Sequence, residues 1–431
     1  MWQSKRGLKI KYHAFYFRNS SQYLKNKFQI GTLTVISASQ WPKEKMVLSQ
    51  FHSNIIKLKQ GWSIDIDMNV DNWDIKFIKP CRAPEEEHRH LTPEYTLESI
   101  ARGKIVQINL DNCSIQRMEG LTEKSTIRDV EAVGLLPLYE ILQKGTVSLT
   151  CIGINEMPDW RVQNAHAAYE RFCRKFWPGH KDDKDATYRE YNPECKERKV
   201  KFGELPDGAR CVYGGAYVSI LQIQNILHNY PNTTPENRFE IYLHSMIGLL
   251  GIVSGFELEI AKWAFWELNK KEINQLSPRV KQRRKDIKEN FAKVKNNISK
   301  CREFAFDSAM DLHWLSGANL SEDLGHNIDI NGTRLKLDNW LGTNDHKLYR
   351  ISRDIYSTFH DNSTMKRLVI TRERELDSTL YWRNVDRISN DILRYRYTSG
   401  YTDVGDILAK IDMAVTHVEG ELIRKFDGVP A

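Results

Sequence analysis

The stretch Lys104–Ser114, KIVQINLDNCS, constrains this chain more than any other. Ile105, Val106, Ile108 and Leu110 make an apolar, β-branched run suited to a short strand buried on both faces, as in a parallel sheet. The run stops at Asp111, which small polar residues follow. Ligands of open α/β sheets bind beyond the carboxyl ends of the strands, so an acid here is placed for chemistry. A helix N-cap or a turn is the plainer use of the same residue.

The next hundred residues repeat the theme. Val130, Val133, Leu136, Leu138, Ile141 and Leu142 fall on one broad face and predict a helix over Thr126–Lys144, weakened at Gly134 and Pro137 and closed by Gly145. Thr146–Ile154 reads as a second buried strand leading to Glu156, and Asp159–Phe176 as a helix. Strand, helix and strand in this order are the rhythm of a parallel α/β sheet. Helices are expected at Ala216–Asn229 and Pro235–Asn269, the latter aromatic through Trp263, Phe265 and Trp266. Arg279–Phe304 reads as one basic amphipathic helix, with Lys281, Arg283, Arg284 and Lys285 on its outer face. Leu320–Lys366 is polar and weakly patterned. Arg367–Thr371 is the last clear strand, with Glu373 and Glu375 after it, and helices are expected at Leu380–Tyr397 and Thr402–Phe426.

Ahead of this lies a different composition. Lys9–Phe17, Gly31–Ala38, Ser63–Val70 and Trp73–Ile78 have strand character, the last two as a hairpin. Residues 1–60 hold eleven Lys or Arg against the single acid Glu44, an asymmetry that suits either a polyanionic partner or a solvated basic surface. The expected organisation is a β-rich basic domain over 1–80, a proline-containing linker over 81–103, an α/β domain over 104–398 with a helical insertion at about 177–280, and a helical segment over 399–431. Seven scattered cysteines without a CxxC pair predict a reduced, cytoplasmic protein. No apolar run is long enough to span a bilayer, and the first residues carry no secretory pattern. A P-loop is excluded, since GxxxxGK[ST] does not occur.

Five acidic residues at four places in the chain are the candidates for chemistry: Asp111 and Glu156 after two strands, Asp307 and Asp311 one helical turn apart, and Glu373 after the last strand. Such carboxylates repel each other unless a divalent cation joins them, and all-oxygen donors suit Mg²⁺ or Mn²⁺. An exposed turn, a solvated helix face or local ion pairs would explain each acid singly. His88 and His90, the dispersed His166, Cys173, His180 and Cys195, and Cys113 without a paired base make weaker sites.

In this order the motifs resemble those of the PIN-domain nucleases. That family has an apolar strand ending in Asp plus a small polar residue, a second strand leading to Glu, a D-A-L-H-L-A helix, and a late V-T-R-D-x-x-L. Here these read INLDN, CIGINEM, MDLHWLSGA and VITREREL. The resemblance implies a Rossmann-like α/β/α sandwich, here with a large helical insertion. It implies metal-dependent cleavage of RNA or DNA, with Asp111, Glu156, Asp311 and Glu373 as ligands, Asp307 beside them, and Asn112 and Thr371 in support. Nucleic acid would be the partner, held partly by Lys281, Arg283, Arg284 and Lys285, and a toxin or antiviral effector the class. The alternative is a non-catalytic scaffold binding nucleic acid or protein through the aromatic helical middle. The chain departs from the family in two ways: long insertions separate the motifs, and Glu stands where the last acid is usually Asp.

Overall fold

The computed structural model describes residues 55–57, 74–82, 90–178, 192, 194, 201–251, 254–316, 327–330, 332–359, 366–398 and 407–428. The strands expected at Lys9–Phe17, Gly31–Ala38 and Ser63–Val70, the basic segment except residues 55–57, and His88 and His180 lie outside the described residues.

The strands are β1 (Ile55–Lys57), β2 (Lys76–Ile78), β3 (Cys81–Arg82), β4 (Lys104–Leu110), β5 (Val147–Thr150), β6 (Asn327–Ile330), β7 (Thr333–Thr343), β8 (Ile355–Phe359) and β9 (Lys366–Arg372). They form two sheets. In the first, β4 lies between β5 and β7, parallel to both, and β7 carries β2 and β6 antiparallel on its other side. The alternation-free apolar run of β4 is thereby accounted for: Ile105, Val106, Ile108 and Leu110 are all buried. The second sheet has the order β1-β9-β8-β3, an antiparallel β8–β9 pair flanked by parallel edge strands.

Helices α1 (Pro93–Ala101), α2 (Asn112–Glu119), α3 (Ile127–Ala132), α4 (Leu136–Lys144) and α5 (Asp159–Phe176) belong with the first sheet. Helix α1 begins inside the segment read as a linker. Thr92 caps it by accepting from Tyr95 N at 3.2 Å, and Pro93 follows at the first helical position, which lacks a needed N–H in any case. The single helix expected over Thr126–Lys144 is two, because Gly134 takes φ +76° between α3 and α4. Helix α5 has the bounds the sequence predicts.

A second, larger core is helical. It comprises α6 (Asp207–Asn229), α7 (Pro235–Leu250), α8 (Gly255–Phe265), α9 (Lys270–Gln275), α10 (Pro278–Phe291) and α11 (Ile298–Ser316). Helices α12 (His346–Asp354), α13 (Arg374–Asp377), α14 (Leu380–Thr398) and α15 (Ile407–Phe426) complete the chain. The predicted basic helix Arg279–Phe304 is broken between α10 and α11, so the helical body runs on to Ser316 rather than ending near residue 280. Trp263, Phe265 and Trp266 are buried core, the two tryptophans packed with Trp382 and Phe265 with Tyr242, and present no aromatic surface to a partner. No helix among the described residues is long and apolar enough to cross a membrane.

Lys76–Ile78 pairs with β7, in the register Lys76↔Thr343, while its expected hairpin partner Ser63–Val70 lies outside the described residues. The weakly patterned stretch Leu320–Lys366 contains β7, the strand next to β4. Its inward positions Asp338 and Asn339 are polar and buried. Asp338 accepts from Lys79 Nζ at 2.6 Å and Tyr95 Oη at 2.7 Å, and Asn339 from Asn109 Nδ2 at 3.2 Å, so neither is left unsatisfied.

Candidate acidic centre

Asp111 leaves β4 as the N-cap residue of α2 without making the side-chain cap bond. Its carboxylate turns to β7 instead: Thr343 Oγ1 donates to Oδ2 at 2.6 Å, and Cys113 Sγ does so at 3.0 Å. Burial raises the Asp111 pKa above the usual carboxylate value, with a contribution from Asp345, against the lowering effect of those donors. Burial and the Asp111 charge push the Cys113 thiol up, so that it stays protonated and donates.

Glu156 closes the short 3₁₀ turn Ile152–Glu156 that follows β5. The turn lies against the start of α2 because residue 153 is glycine: a Cβ there would stand 2.3 Å from Asn112 N and 2.5 Å from the Asp111 carbonyl carbon. Asn112 Nδ2 donates to Glu156 Oε2, while Oε1 is buried and has no hydrogen-bond partner among the described residues. The Glu156 pKa stands well above the ordinary range, first from burial, then from the charges of Asp111 and Asp307. The nearby Trp314 indole acts weakly the other way, though its N–H does not reach hydrogen-bond geometry.

Asp307 and Asp311 project from one face of α11, as their spacing predicts. Asp311 is likewise raised well above its ordinary value, by desolvation and then by Asp111, Glu156, Asp345 and Asp307. Four carboxylates thus act on a fifth. Three of the four ligands expected from the sequence, Asp111, Glu156 and Asp311, share this neighbourhood with Asp307.

Glu373 does not belong to it. It follows β9 in the second sheet, where Arg283 holds it through two hydrogen bonds of 2.9 Å and Arg279 Nε stands 2.8 Å away. The fifth member is Asp345, two residues beyond β7. It caps α12, accepting from Lys347 N at 2.8 Å and Leu348 N at 3.1 Å. The signal was present in the sequence: Thr343-Asn344-Asp345-His346-Lys347-Leu348 satisfies T-x-D-x-x-L with the Asp that Glu373 lacks. Thr371, the expected support for Glu373, instead presents its carbonyl to Arg283 Nη1 at 2.9 Å.

The proposed nucleic-acid contacts on α10 divide. Arg283 is only 4% exposed and spans Asp354 and Glu373. Arg284 lies over the Trp266 ring and donates to its carbonyl at 3.2 Å. Lys281 donates to Asn274 O at 2.8 Å, and Lys285 alone of the four is exposed.

The donor set at the acidic centre is all oxygen, and Glu156 Oε1 is a buried acceptor that no group among the described residues satisfies. Both features fit a hard divalent cation. As they stand, no three or more His, Cys, Asp or Glu side chains among the described residues form a ready-made coordination group. No family model, curated protein or solved structure matches this chain.

Proposed function

We propose that this protein is a metal-dependent nuclease, built on a PIN-like α/β scaffold, that hydrolyses phosphodiester bonds of RNA or DNA. The observation carrying this reading is the mutual electrostatic influence of Asp111, Glu156 and Asp345, beyond the ends of three neighbouring strands, and of Asp307 and Asp311 along helix α11. A fold stabilises itself poorly by crowding ionised carboxylates, so the arrangement supports a cation-binding role.

Asp111, Glu156, Asp311 and Asp345 would hold Mg²⁺ or Mn²⁺, which when bound supplies an activated water and stabilises charge on a phosphoryl oxygen. The protein's share is preorganisation. Thr343 and Cys113 fix one oxygen of Asp111 and leave the other for a ligand. Asn112 holds Glu156 by one oxygen in the same manner. Asp345 is aimed by its own helix, whose first N–H groups grip one of its oxygens. The buried setting strengthens each of these interactions relative to water.

Seven scattered cysteines without a CxxC pair support a reducing, cytoplasmic setting, and a nuclease of this kind fits a toxin or antiviral effector. Incubation of the purified chain with single- and double-stranded RNA and DNA, with Mg²⁺ or Mn²⁺, tests the reading. Cleavage by the wild type and its loss in Asp111→Asn, with unchanged circular dichroism, is the expected result. Cleavage that survives Asp111→Asn, or none with any substrate, sinks it.

A further inference from the structure

A cavity of about 570 Å³ lies where elements of both cores meet, and none of the five clustered carboxylates lines it. Its size suits a small-molecule ligand. The walls come from β2, the residues entering α1, and helices α4, α10 and α12. Phe77, Leu91, Ile141 and Tyr349 supply apolar and aromatic surface.

The charged lining is unevenly balanced. Arg279 and Arg283 are paired with Asp354 and Glu373, and Arg350 with Asp286. Glu140 is exposed. Lys76 and Arg353 also line the cavity, each partly exposed, and among the described residues neither forms an ion pair. Two unpaired cations beside an aromatic wall suit a ligand with a flat ring at one end and an anion at the other. A bare phosphate would leave most of the space unfilled.

We propose that this cavity binds a nucleoside phosphate, with its phosphates on Lys76 and Arg353 and its base against Tyr349 and Phe77. Tyr349 and Arg353 lie on α12, the helix that Asp345 caps. An occupant therefore braces the helix that aims one carboxylate of the acidic centre. This coupling rests on the hydrolase reading, whereas the binding does not.

Calorimetric titration of the full chain with ATP, GTP, AMP and inorganic triphosphate, in EDTA so that no divalent ion bridges to the carboxylates, tests the proposal. The expected result is millimolar or tighter binding of ATP or GTP. Lys76→Gln and Arg353→Gln should each weaken it about tenfold, as loss of a charge-assisted contact does, and Asp111→Asn should leave it unchanged. Inorganic triphosphate should bind more weakly than ATP. Absence of nucleotide binding, undiminished binding by both variants, loss of binding in Asp111→Asn, or triphosphate binding as tightly as ATP would each overturn it. Using the single substitutions separately protects the test against one that fails to fold. Because the readout is heat of binding without metal, it is independent of whether the chain cleaves nucleic acid.

Discussion

Replacing Glu156 by Gln should make the metal-free protein more stable and at the same time unresponsive to metal. Glu156 is buried and repelled by Asp111 and Asp307. Like unit charges repel by about 4 kcal/mol at 4 Å for an effective dielectric of 20, less in proportion as they stand further apart, and burial adds to this. Glutamine keeps an oxygen to accept from Asn112, so the hydrogen bond seen at Glu156 Oε2 can survive. A net gain on the order of 2 kcal/mol would raise the unfolding midpoint by about 2–5 °C. The direction with pH follows from the raised pKa. A carboxyl that holds its proton more tightly when folded favours the fold fully below the ordinary carboxylate range, and that advantage disappears as pH rises through the raised value. The contrast should therefore be largest in alkaline buffer. Differential scanning fluorimetry in EDTA at about pH 8.5, repeated with Mn²⁺, reads both effects. The wild type should gain stability from Mn²⁺ and Glu156→Gln should not. A variant less stable than wild type in EDTA, or equally raised by Mn²⁺, would refute the electrostatic account.

Other substitutions separate the two clusters of charge. Asp345→Asn should abolish metal-dependent cleavage, whereas Glu373→Gln should chiefly destabilise the fold by about 2–4 kcal/mol in urea titration, because it strips a partner from buried Arg283. Activity lost equally in a well-folded Glu373→Gln would reverse that assignment. Gly153→Ala should separate the Glu156 turn from α2, since the added carbon meets backbone at 2.3–2.6 Å; weakened Mn²⁺ binding by calorimetry is the expected sign, and wild-type affinity the contrary one. Burial lifts Glu257 to about 7, and its Oε2 has no hydrogen-bond partner among the described residues. Its contribution is intact below the ordinary carboxylate range and is lost as pH rises through about 7, so Glu257→Gln should flatten the stability profile between pH 5 and 8 by on the order of 2 kcal/mol. Parallel profiles for the two proteins would exclude this.

What the sequence revealed depended on how much each element used apolar pattern alone. Strand β4 and helix α5 were legible because their buried positions are apolar at the proper period. Asp111 followed from β4, whereas Glu156 was read from the end of the next strand and Asp311 from its spacing of four to Asp307. Strand β7 was hidden because its inward Asp338 and Asn339 are polar, satisfied by Lys79, Tyr95 and Asn109 from distant segments. With β7 unseen, Asp345 lost its context, and the similar ending of β9 drew the assignment to Glu373. Local sequence at β9 shows a strand, a threonine and an acid, but not which of two sheets the strand joins. The break between α10 and α11 and the inward turn of Arg283 were hidden in the same way, since a buried arginine paired to Asp354 and Glu373 reads as a surface cation until those partners are placed.

The pairing of β4 with β7 has a consequence for when the protein acquires its chemistry. The register sets Lys104 against Lys336, with the whole helical body between them in the chain. During synthesis, Asp111 and Glu156 emerge early, but the strand that completes their sheet and orients Thr343 and Asp345 is among the later parts made. Closing so long a loop is an entropic cost met only when those late contacts form. A nascent chain, or a fragment cut short before residue 333, holds Asp111 and Glu156 without the Thr343 that orients Asp111 and without Asp345. The order of residues along the polypeptide thus sets a delay: the acidic centre is complete only after β7 has joined β4.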